Sequence, residues 1–285
     1  MKWSLISQRQ LCRNGNVYEG KEGRKMNQVW SRNHETGELK PAKSLMAALE
    51  FEKKEQLPRI ISLVGGGGKT TTIYQLADEL SEQGLRVLIT TSTHIQCPEN
   101  GLSAFVDHVR EVTADMWEGG ILTVGKPLLK EEETYKLSMP EGLGEPEEME
   151  RLLQMADVIL IEADGAKKKP VKVPGEWEPV IIPQTGLVIA CAGLSALGGT
   201  FADTCFRFRE YGKWLMREGE NVITPEDLAL ILMDERGSHK GVQGRYYRVV
   251  LNQADGEKEL KAAEMILKLL PVTMQKGCAV TAYRK

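Results

Sequence analysis

Four consecutive glycines, Gly65–Gly68, precede Lys69 and Thr70. Such a stretch could bind phosphate, because residues without a Cβ let backbone N–H groups approach the oxygens closely and accept positive φ angles. The lysine could reach the outer phosphates of a nucleotide, and the threonine hydroxyl could ligate Mg²⁺. The candidate residues for binding a nucleoside triphosphate, GTP or ATP, are Gly65, Gly66, Gly67, Gly68, Lys69, Thr70 and Thr71.

The flanking residues predict the elements that would position this glycine loop (Gly65–Gly68). The apolar, β-branched run Ile60–Val64 predicts a buried strand, and apolar residues at helical spacing from Ile73 to Leu80 predict a helix that begins at the loop. Strand, glycine loop, Lys-Thr and helix together are typical of a phosphate-binding P-loop. The full pattern has glycine where this chain has Leu63. The alternative is a glycine-rich turn that binds nothing.

A second motif places carboxylates after an apolar run. Residues 158–161 are Val-Ile-Leu-Ile, and Glu162, Asp164 and Gly165 follow. This pattern predicts a central strand whose carboxyl end presents charge to the crevice where open α/β sheets bind ligands. Glu162 or Asp164 would hold Mg²⁺, directly or through water, or polarise the attacking water, so both are catalytic candidates beside Lys69. The favoured assignment gives Mg²⁺ to Glu162, and gives Asp164 the positioning of water or the relay of a switch. The alternative is a buried strand that ends in solvated acids.

A third motif, Asn252-Gln253-Ala254-Asp255, follows the predicted strand Tyr247–Leu251. GTPases carry Asn-Lys-x-Asp at this place. The Asp255 carboxylate would accept hydrogen bonds from guanine N1 and N2, and the Asn252 side chain would support the loop. Gln253 lacks the charge of the usual lysine. The sequence therefore predicts phosphate binding by the glycine loop more strongly than it predicts a preference for GTP.

Further polar residues surround these motifs. Lys167, Lys168, Lys169 and Lys172 follow the second motif and could neutralise phosphates or bind an anionic partner, although a solvated charge run is the alternative. Thr91, Thr93 and His94 follow a predicted strand over 86–91 and could contact Mg²⁺ or the γ-phosphate. His94 and Cys97 alone do not make a metal site.

Length and composition limit the classes of protein. The 285 residues carry a net charge of -3, which gives no global basic field for nucleic acid. We expect a cytoplasmic protein without a membrane segment, because apolar runs are short and five scattered cysteines suit reduced thiols. Residues 1–56 are predicted to be a poorly structured leader with a short helix at 43–52, and residues 57–285 a P-loop nucleotide-binding domain.

The remaining patterns complete a three-layer α/β fold, a P-loop NTPase with a predominantly parallel sheet. We expect a mobile or substrate-facing insertion over 98–146. The other strands are predicted at 120–124, 187–192 and 278–282, and the other helices at 146–156, 206–216, 224–233 and 257–270.

The chain resembles the YqeC family, described as accessory factors for selenium-dependent molybdenum hydroxylases. The resemblance rests on the glycine loop, on residues 90–93 (Thr-Thr-Ser-Thr), 161–166, 193–198 and 224–229, and on the third motif. Glu162-x-x-Gly165 also resembles the Glu-x-x-Gly of nickel-insertion GTPases of the SIMIBI class. The resemblance implies a SIMIBI-like fold, Glu162 in a Mg²⁺-linked switch position, and a homodimer formed across the nucleotide. It further implies a molybdenum hydroxylase apoprotein or its cofactor as partner.

This chain departs from the family pattern at three places. His94 stands where relatives often carry lysine, Phe206-Arg207 where they carry a His-Arg pair, and Gln253 where lysine is more usual. The roles of those groups do not transfer to this chain.

The leading hypothesis is a Mg²⁺-dependent nucleoside triphosphatase, with GTP favoured over ATP, that acts as a maturation switch for a selenium-dependent molybdenum hydroxylase. One alternative is a P-loop kinase that phosphorylates a small molecule or cofactor through His94 or the lysine loop. Another is a scaffold that binds nucleotide without hydrolysing it.

Overall fold

Strands and helices alternate along the chain in the computed structural model, which describes residues 26–51, 57–96, 103–117, 119–128 and 136–283. The strands are β1 (Met26–Arg32), β2 (Leu39–Pro41), β3 (Ile60–Gly65), β4 (Val87–Thr91), β5 (His94–Gln96), β6 (Ser103–Phe105), β7 (Ile121–Pro127), β8 (Lys136–Ser138), β9 (Val158–Glu162), β10 (Val171–Lys172), β11 (Leu187–Gly193), β12 (Cys205–Phe206), β13 (Tyr246–Asn252) and β14 (Ala279–Tyr283). The α-helices are α1 (Leu45–Ala48), α2 (Lys69–Glu82), α3 (Pro146–Met155), α4 (Phe201–Thr204), α5 (Phe208–Tyr211), α6 (Pro225–Met233) and α7 (Glu257–Leu269).

One twelve-stranded sheet forms the centre of the molecule, in the order β2-β1-β14-β13-β11-β3-β9-β4-β7-β8-β5, with β6 also paired to β7. Neighbouring strands from β14 to β7 are parallel, whereas β1, β2, β5 and β8 pair antiparallel at the two ends. The predicted α/β class with a mostly parallel sheet is confirmed.

The central strands are buried along their whole length. Every residue of β3, β9 and β11 is buried, as expected for parallel strands covered on both faces. Leu63 of β3 packs in one core cluster with Ile73 and Leu76 of α2, and Val64 packs in the core cluster of the other face. Alternate residues of one strand therefore anchor the two outer layers.

Residues 26–51 differ from the prediction of a poorly structured leader. Strand β1 extends the sheet by pairing with β14, and Val29 lies opposite Thr281. The predicted helix over 43–52 is the shorter α1, whose first-turn N–H groups at Leu45 and Met46 each donate to the Glu79 carboxylate of α2 at 2.8 Å. These long-range contacts, which composition does not reveal, order the segment. Residues 1–25 and 52–56 lie outside the described residues.

The expected helix over 206–216 is wrong. Cys205–Phe206 instead form β12, which pairs in parallel with β10, and the short helix α5 follows. Arg207 and Met216 have φ angles of 60° and 53°, in the left-handed region that a right-handed helix cannot contain. Pairing with a segment more than thirty positions away overrides the local helical pattern.

The stretch expected to be an insertion contributes strands to the sheet. β7 continues the parallel order beside β4, while β8 pairs with β7 and β5 in antiparallel directions. Mobility and substrate contact of this stretch stay predictions. Residues 97–102, 118 and 129–135 lie outside the described residues.

Two expectations drawn from composition concern helix length and thiols. Among the described helices, none has the length and apolar character needed to cross a bilayer. Cys191, Cys205 and Cys278 are buried free thiols, whereas Cys12 and Cys97 lie outside the described residues.

Candidate functional site

The glycine loop and the acidic tip (Glu162–Asp164) lie at the same edge of the sheet, because β3 and β9 are parallel neighbours. Leu63 of β3 pairs with Glu162 of β9, and Thr91 of β4 pairs with Glu162 from the other side. The Gly65 N–H donates to Asp164 Oδ2 at 3.0 Å. The topology thus brings the first two sequence motifs into direct contact.

Glycine is required in the loop for two reasons. Gly65, Gly67 and Gly68 have φ angles of 92°, 62° and 102°, which side chains rarely allow. A Cβ on Gly65 would lie 2.4 Å from the Cys191 carbonyl oxygen, and one on Gly67 would lie 2.1 Å from the Gly193 nitrogen. The loop therefore packs directly against the backbone at the end of β11.

The loop leads into the amino terminus of α2, where backbone N–H groups are available. The first intrahelical bond runs from the Thr72 N–H to the Gly68 carbonyl at 2.9 Å. The N–H groups of Lys69, Thr70 and Thr71 consequently have no acceptor within the helix. They lie at its positive end, which favours an anion.

Two other loop amides are already engaged in this conformation. The Gly66 N–H donates to the Cys191 carbonyl at 2.9 Å, and the Gly67 N–H donates to the Lys169 carbonyl at 3.1 Å. The segment that follows the acidic tip therefore lies against the glycine loop. A phosphate bound by the Gly67 amide would have to displace the Lys169 carbonyl.

Lys69 lies buried between the two motifs. Its Nζ donates to the Gly65 carbonyl at 2.5 Å, and lies 3.1 Å from Asp164 Oδ1 and 3.9 Å from Glu162 Oε1. Burial by itself disfavours the charged form, but attraction to Asp164 and Glu162 outweighs it and raises the pKa of Lys69. The ammonium is therefore charged, and it already lies next to both acids.

Thr70 and Glu162 present oxygen atoms of the kind that Mg²⁺ binds. Thr70 Oγ1 donates to Glu162 Oε2 at 2.9 Å. Burial raises the pKa of the Glu162 carboxyl to about 7, against the opposing effect of Lys69. Asp164 Oδ1 is buried, and the Lys69 ammonium lies 3.1 Å from it.

The oxygen donors of Thr70 and Glu162 are of a kind that fits Mg²⁺. The described residues contain no group of three or more His, Cys, Asp and Glu side chains arranged to hold a metal ion. Mg²⁺ is commonly bound by one or two protein oxygens, with substrate phosphates and water completing its shell. Thr70 and Glu162 match that requirement.

Asn252 ties the end of β13 to the glycine loop. Its Nδ2 donates to the Gly67 carbonyl at 2.7 Å and to Thr72 Oγ1 at 3.1 Å, while its Oδ1 accepts from Thr281 Oγ1 at 2.5 Å. Asn252 is fully buried. Asn252 therefore connects the end of β13 to the glycine loop and to α2, and its role in nucleotide binding stays a prediction.

Asp255, predicted to bind the base, and Gln253, which replaces the usual lysine, follow Asn252 in the third motif. Asp255 is exposed. Gln253 has a φ angle of 66°, and its Oε1 accepts from Ser195 Oγ at 2.6 Å. Binding of a base by Asp255 stays a prediction.

Of the polar residues at and after the end of β4, Thr91 makes a structural hydrogen bond and His94 lies at the surface. Thr91 Oγ1 donates to the Glu162 carbonyl at 2.8 Å, which fixes the backbone of the acidic tip. His94 is exposed in β5, opposite Ser138 of β8. Cys97 lies outside the described residues.

The lysine-rich segment contains a buried member that the sequence pattern did not distinguish. Lys167 and Lys168 are exposed, whereas Lys172 is fully buried within β10. Its Nζ lies 3.4 Å from Asp164 Oδ2 and 2.7 Å from Glu178 Oε2. The only sequence signal was the position of Lys172 between Val171 and Val173, an apolar-polar-apolar alternation typical of a strand.

Comparisons with known proteins identify the family of the chain. The family model described as "YqeC protein" matches residues 61–209, which include the glycine loop and the acidic tip. A relative from Escherichia coli (strain K12), described as "Uncharacterized protein YqeC", is 32% identical over 192 residues, which cover 66% of this chain and 73% of the relative. The chain belongs to the YqeC family.

Proposed function

We propose that the protein is a Mg²⁺-dependent nucleoside triphosphatase with a preference for GTP over ATP. One observation carries the proposal: the buried Lys69 ammonium at the amino terminus of α2 lies 3.1 Å from Asp164 and 3.9 Å from Glu162. A buried ion pair between the amino terminus of a helix and the end of a strand is a costly way to stabilise a core. A site that must accept a triphosphate and its cation accounts for both charges.

In this proposal each polar group at the site has a separate role. Lys69 and the free N–H groups of α2 stabilise negative charge on the phosphates. Thr70 and Glu162 hold Mg²⁺, which would neutralise charge on the phosphate oxygens. Asp164, whose buried Oδ1 lies 3.1 Å from the Lys69 ammonium, orients the attacking water.

The preference for guanine rests on the third motif. An exposed carboxylate at Asp255 can accept two hydrogen bonds from guanine N1 and N2, and adenine offers no such donor pair. Asn252 adds support, because it connects this motif to the Gly67 carbonyl of the glycine loop at 2.7 Å. The base site and the phosphate site are therefore mechanically linked in the proposal.

The biological role that we propose is a maturation switch for a selenium-dependent molybdenum hydroxylase. It rests on the family resemblance, which also suggests a homodimer. A switch of this kind hydrolyses nucleotide slowly until a partner completes the site.

A binding measurement with matched variants tests the proposed function. Lys69→Met keeps most of the side-chain volume and removes the charge, whereas Lys261→Met removes an exposed charge from α7. With fluorescently labelled GTP and Mg²⁺, we expect Lys261→Met to bind like the wild type and Lys69→Met to lose affinity about a hundredfold. Equal affinity of the wild type and Lys69→Met would contradict the proposal.

Phosphate release separates the proposed hydrolase from the alternatives. Slow, Mg²⁺-dependent release of inorganic phosphate without an added acceptor supports the hydrolase. Product that forms only with an acceptor supports a kinase, and bound triphosphate that stays intact for hours in a single-turnover assay supports a scaffold.

A further inference from the structure

Lys172 is a buried lysine whose charge is fully compensated. Its side chain has 0% exposure, and burying an ammonium is unfavourable unless its donors are paired. Its Nζ donates to the Gly165 carbonyl at 2.6 Å, and lies 2.7 Å from Glu178 Oε2 and 3.4 Å from Asp164 Oδ2. An ammonium has three N–H donors, so all of them have an oxygen within reach.

Lys172 shares Asp164 with Lys69. Asp164 Oδ1 lies 3.1 Å from Lys69 Nζ, and Asp164 Oδ2 lies 3.4 Å from Lys172 Nζ. The Asp164 side chain is 2% exposed, so water supplies little compensation for its charge. Each of the two cations therefore contributes to the stability of the same buried carboxylate.

The contacts continue from Lys172 to the surface. Glu178, which is 14% exposed, also pairs with Arg207 at 3.3 Å. Positive and negative side chains thus alternate from the glycine loop outward: Lys69, Asp164, Lys172, Glu178 and Arg207. Arg207, at the outer end, is 33% exposed, whereas Lys172, at the centre, is fully buried.

Binding of a triphosphate changes this balance of charge. Lys69 can reach the phosphates only by giving up part of its attraction to Asp164, and the phosphates bring further negative charge close to the same carboxylate. With Lys172 in place, Asp164 keeps a buried cation after Lys69 has turned away. Without Lys172, Asp164 would compete with the phosphates for Lys69.

We infer that Lys172 is a positioning residue for the triphosphate site: it holds Asp164 and the Gly165 carbonyl, and so frees Lys69 to bind the phosphates. This inference rests on the proposed function. In the contacts of the described residues Lys172 touches neither the glycine loop nor α2, and the carboxylate of the site that it contacts is Asp164, so it acts chiefly through Asp164. Its effect should consequently disappear when Asp164 carries no charge.

A two-residue mutant cycle tests the inference. The full-length variants are Lys172→Met, Asp164→Asn and the double variant, with Lys168→Met as the control because it removes an exposed charge from the same segment. The measurement is the Kd for labelled GTP with Mg²⁺ at constant ionic strength. We expect Lys172→Met to weaken binding about tenfold or more, and Lys168→Met to bind like the wild type.

The decisive result is the rescue. In the double variant the Asp164 carboxylate no longer competes for Lys69, and Glu162 is present in both variants, so we expect the Kd of the double variant to match that of Asp164→Asn. A lysine with a merely structural role would weaken binding equally whether or not Asp164 is charged. If Lys172→Met fails to fold, the comparison of Asp164→Asn with the double variant still tests the inference. An affinity for GTP that is a further tenfold weaker in the double variant than in Asp164→Asn would overturn the inference.

The experiment separates this inference from the proposed function. If the wild type binds neither GTP nor ATP with Mg²⁺, the proposed function is wrong and the inference is wrong with it. If the wild type binds nucleotide but Lys172→Met binds equally well, or Lys168→Met loses as much affinity as Lys172→Met, only the inference is overturned.

Discussion

Asn252→Ala is expected to destabilise the protein through the hydrogen bonds that the Asn252 amide makes. The substitution removes a donor to the Gly67 carbonyl and to Thr72, and an acceptor for Thr281, at 2.7, 3.1 and 2.5 Å. Thr72 Oγ1 keeps a second partner, because it donates to the Gly68 carbonyl at 3.1 Å. The Gly67 carbonyl and the Thr281 hydroxyl lose theirs.

The magnitude follows from those two groups. A buried polar atom left without a partner costs about 1–3 kcal/mol. Two such groups therefore lower the free energy of unfolding by about 3 kcal/mol. Thr281→Val, which removes one hydrogen bond from the same network, should cost about 1 kcal/mol.

Urea unfolding followed by circular dichroism measures both effects without nucleotide. Asp255→Ala is the matched control, since Asp255 is exposed in the same motif and its loss should change stability by less than about 0.5 kcal/mol. The reasoning is refuted if Asn252→Ala costs no more than Asp255→Ala. Nucleotide binding gives an independent readout, because the Gly67 carbonyl would no longer be held.

Three further predictions concern backbone geometry, pH and thiols. Gly67→Ala should abolish nucleotide binding, since its Cβ would lie 2.1 Å from the Gly193 nitrogen; Gly84→Ala, with a φ angle of 78° and nothing within 4 Å, should cost only about 1 kcal/mol of stability and leave binding intact. Burial raises the pKa of Glu162 to about 7, so without Mg²⁺ the folded state binds an extra proton between the ordinary carboxyl pKa and 7. The resulting stabilisation is present at low pH and disappears as the pH rises through 7. Glu162→Gln should remove this pH dependence. Urea unfolding gives the free energy of unfolding at pH 5 and pH 8, and between these two pH values the wild type should lose up to about 3 kcal/mol more than the variant. The same difference between wild type and variant at both pH values would contradict the prediction. Burial raises the pKa of Cys191 to about 12, so iodoacetamide at pH 8 should label it only after denaturation, and rapid labelling of the native protein, read by mass spectrometry, would be the contrary result.

Local sequence patterns were sufficient to predict the central strands and the proximity of the first two motifs. The apolar runs before Gly65 and Glu162 predict buried parallel strands, and the structure has them at 60–65 and 158–162. Because parallel strands present their carboxyl ends at one edge, the Lys69 side chain and both acids were expected to come together. Thr224 also begins α6 as predicted, with a capping box to Asp227.

Features that depend on partners far away in the chain were not predictable in this way. Strand β1 is polar in composition and is ordered by β14, more than two hundred residues later. Phe206 pairs with β10 as part of a strand instead of beginning the predicted helix over 206–216. Lys172 looked like one lysine of a solvated run, because its burial depends on Asp164 and Glu178 and not on its neighbours in sequence.

The most direct test of the central claim is a crystal structure of the protein with Mg²⁺ and a non-hydrolysable GTP analogue. We expect Mg²⁺ at about 2.1 Å from Thr70 Oγ1, Glu162 beside it, Lys69 Nζ on the outer phosphates, and the Gly67 N–H turned from the Lys169 carbonyl to a phosphate oxygen. A nucleotide bound away from the glycine loop, or phosphates there without contact to Lys69, would contradict the account.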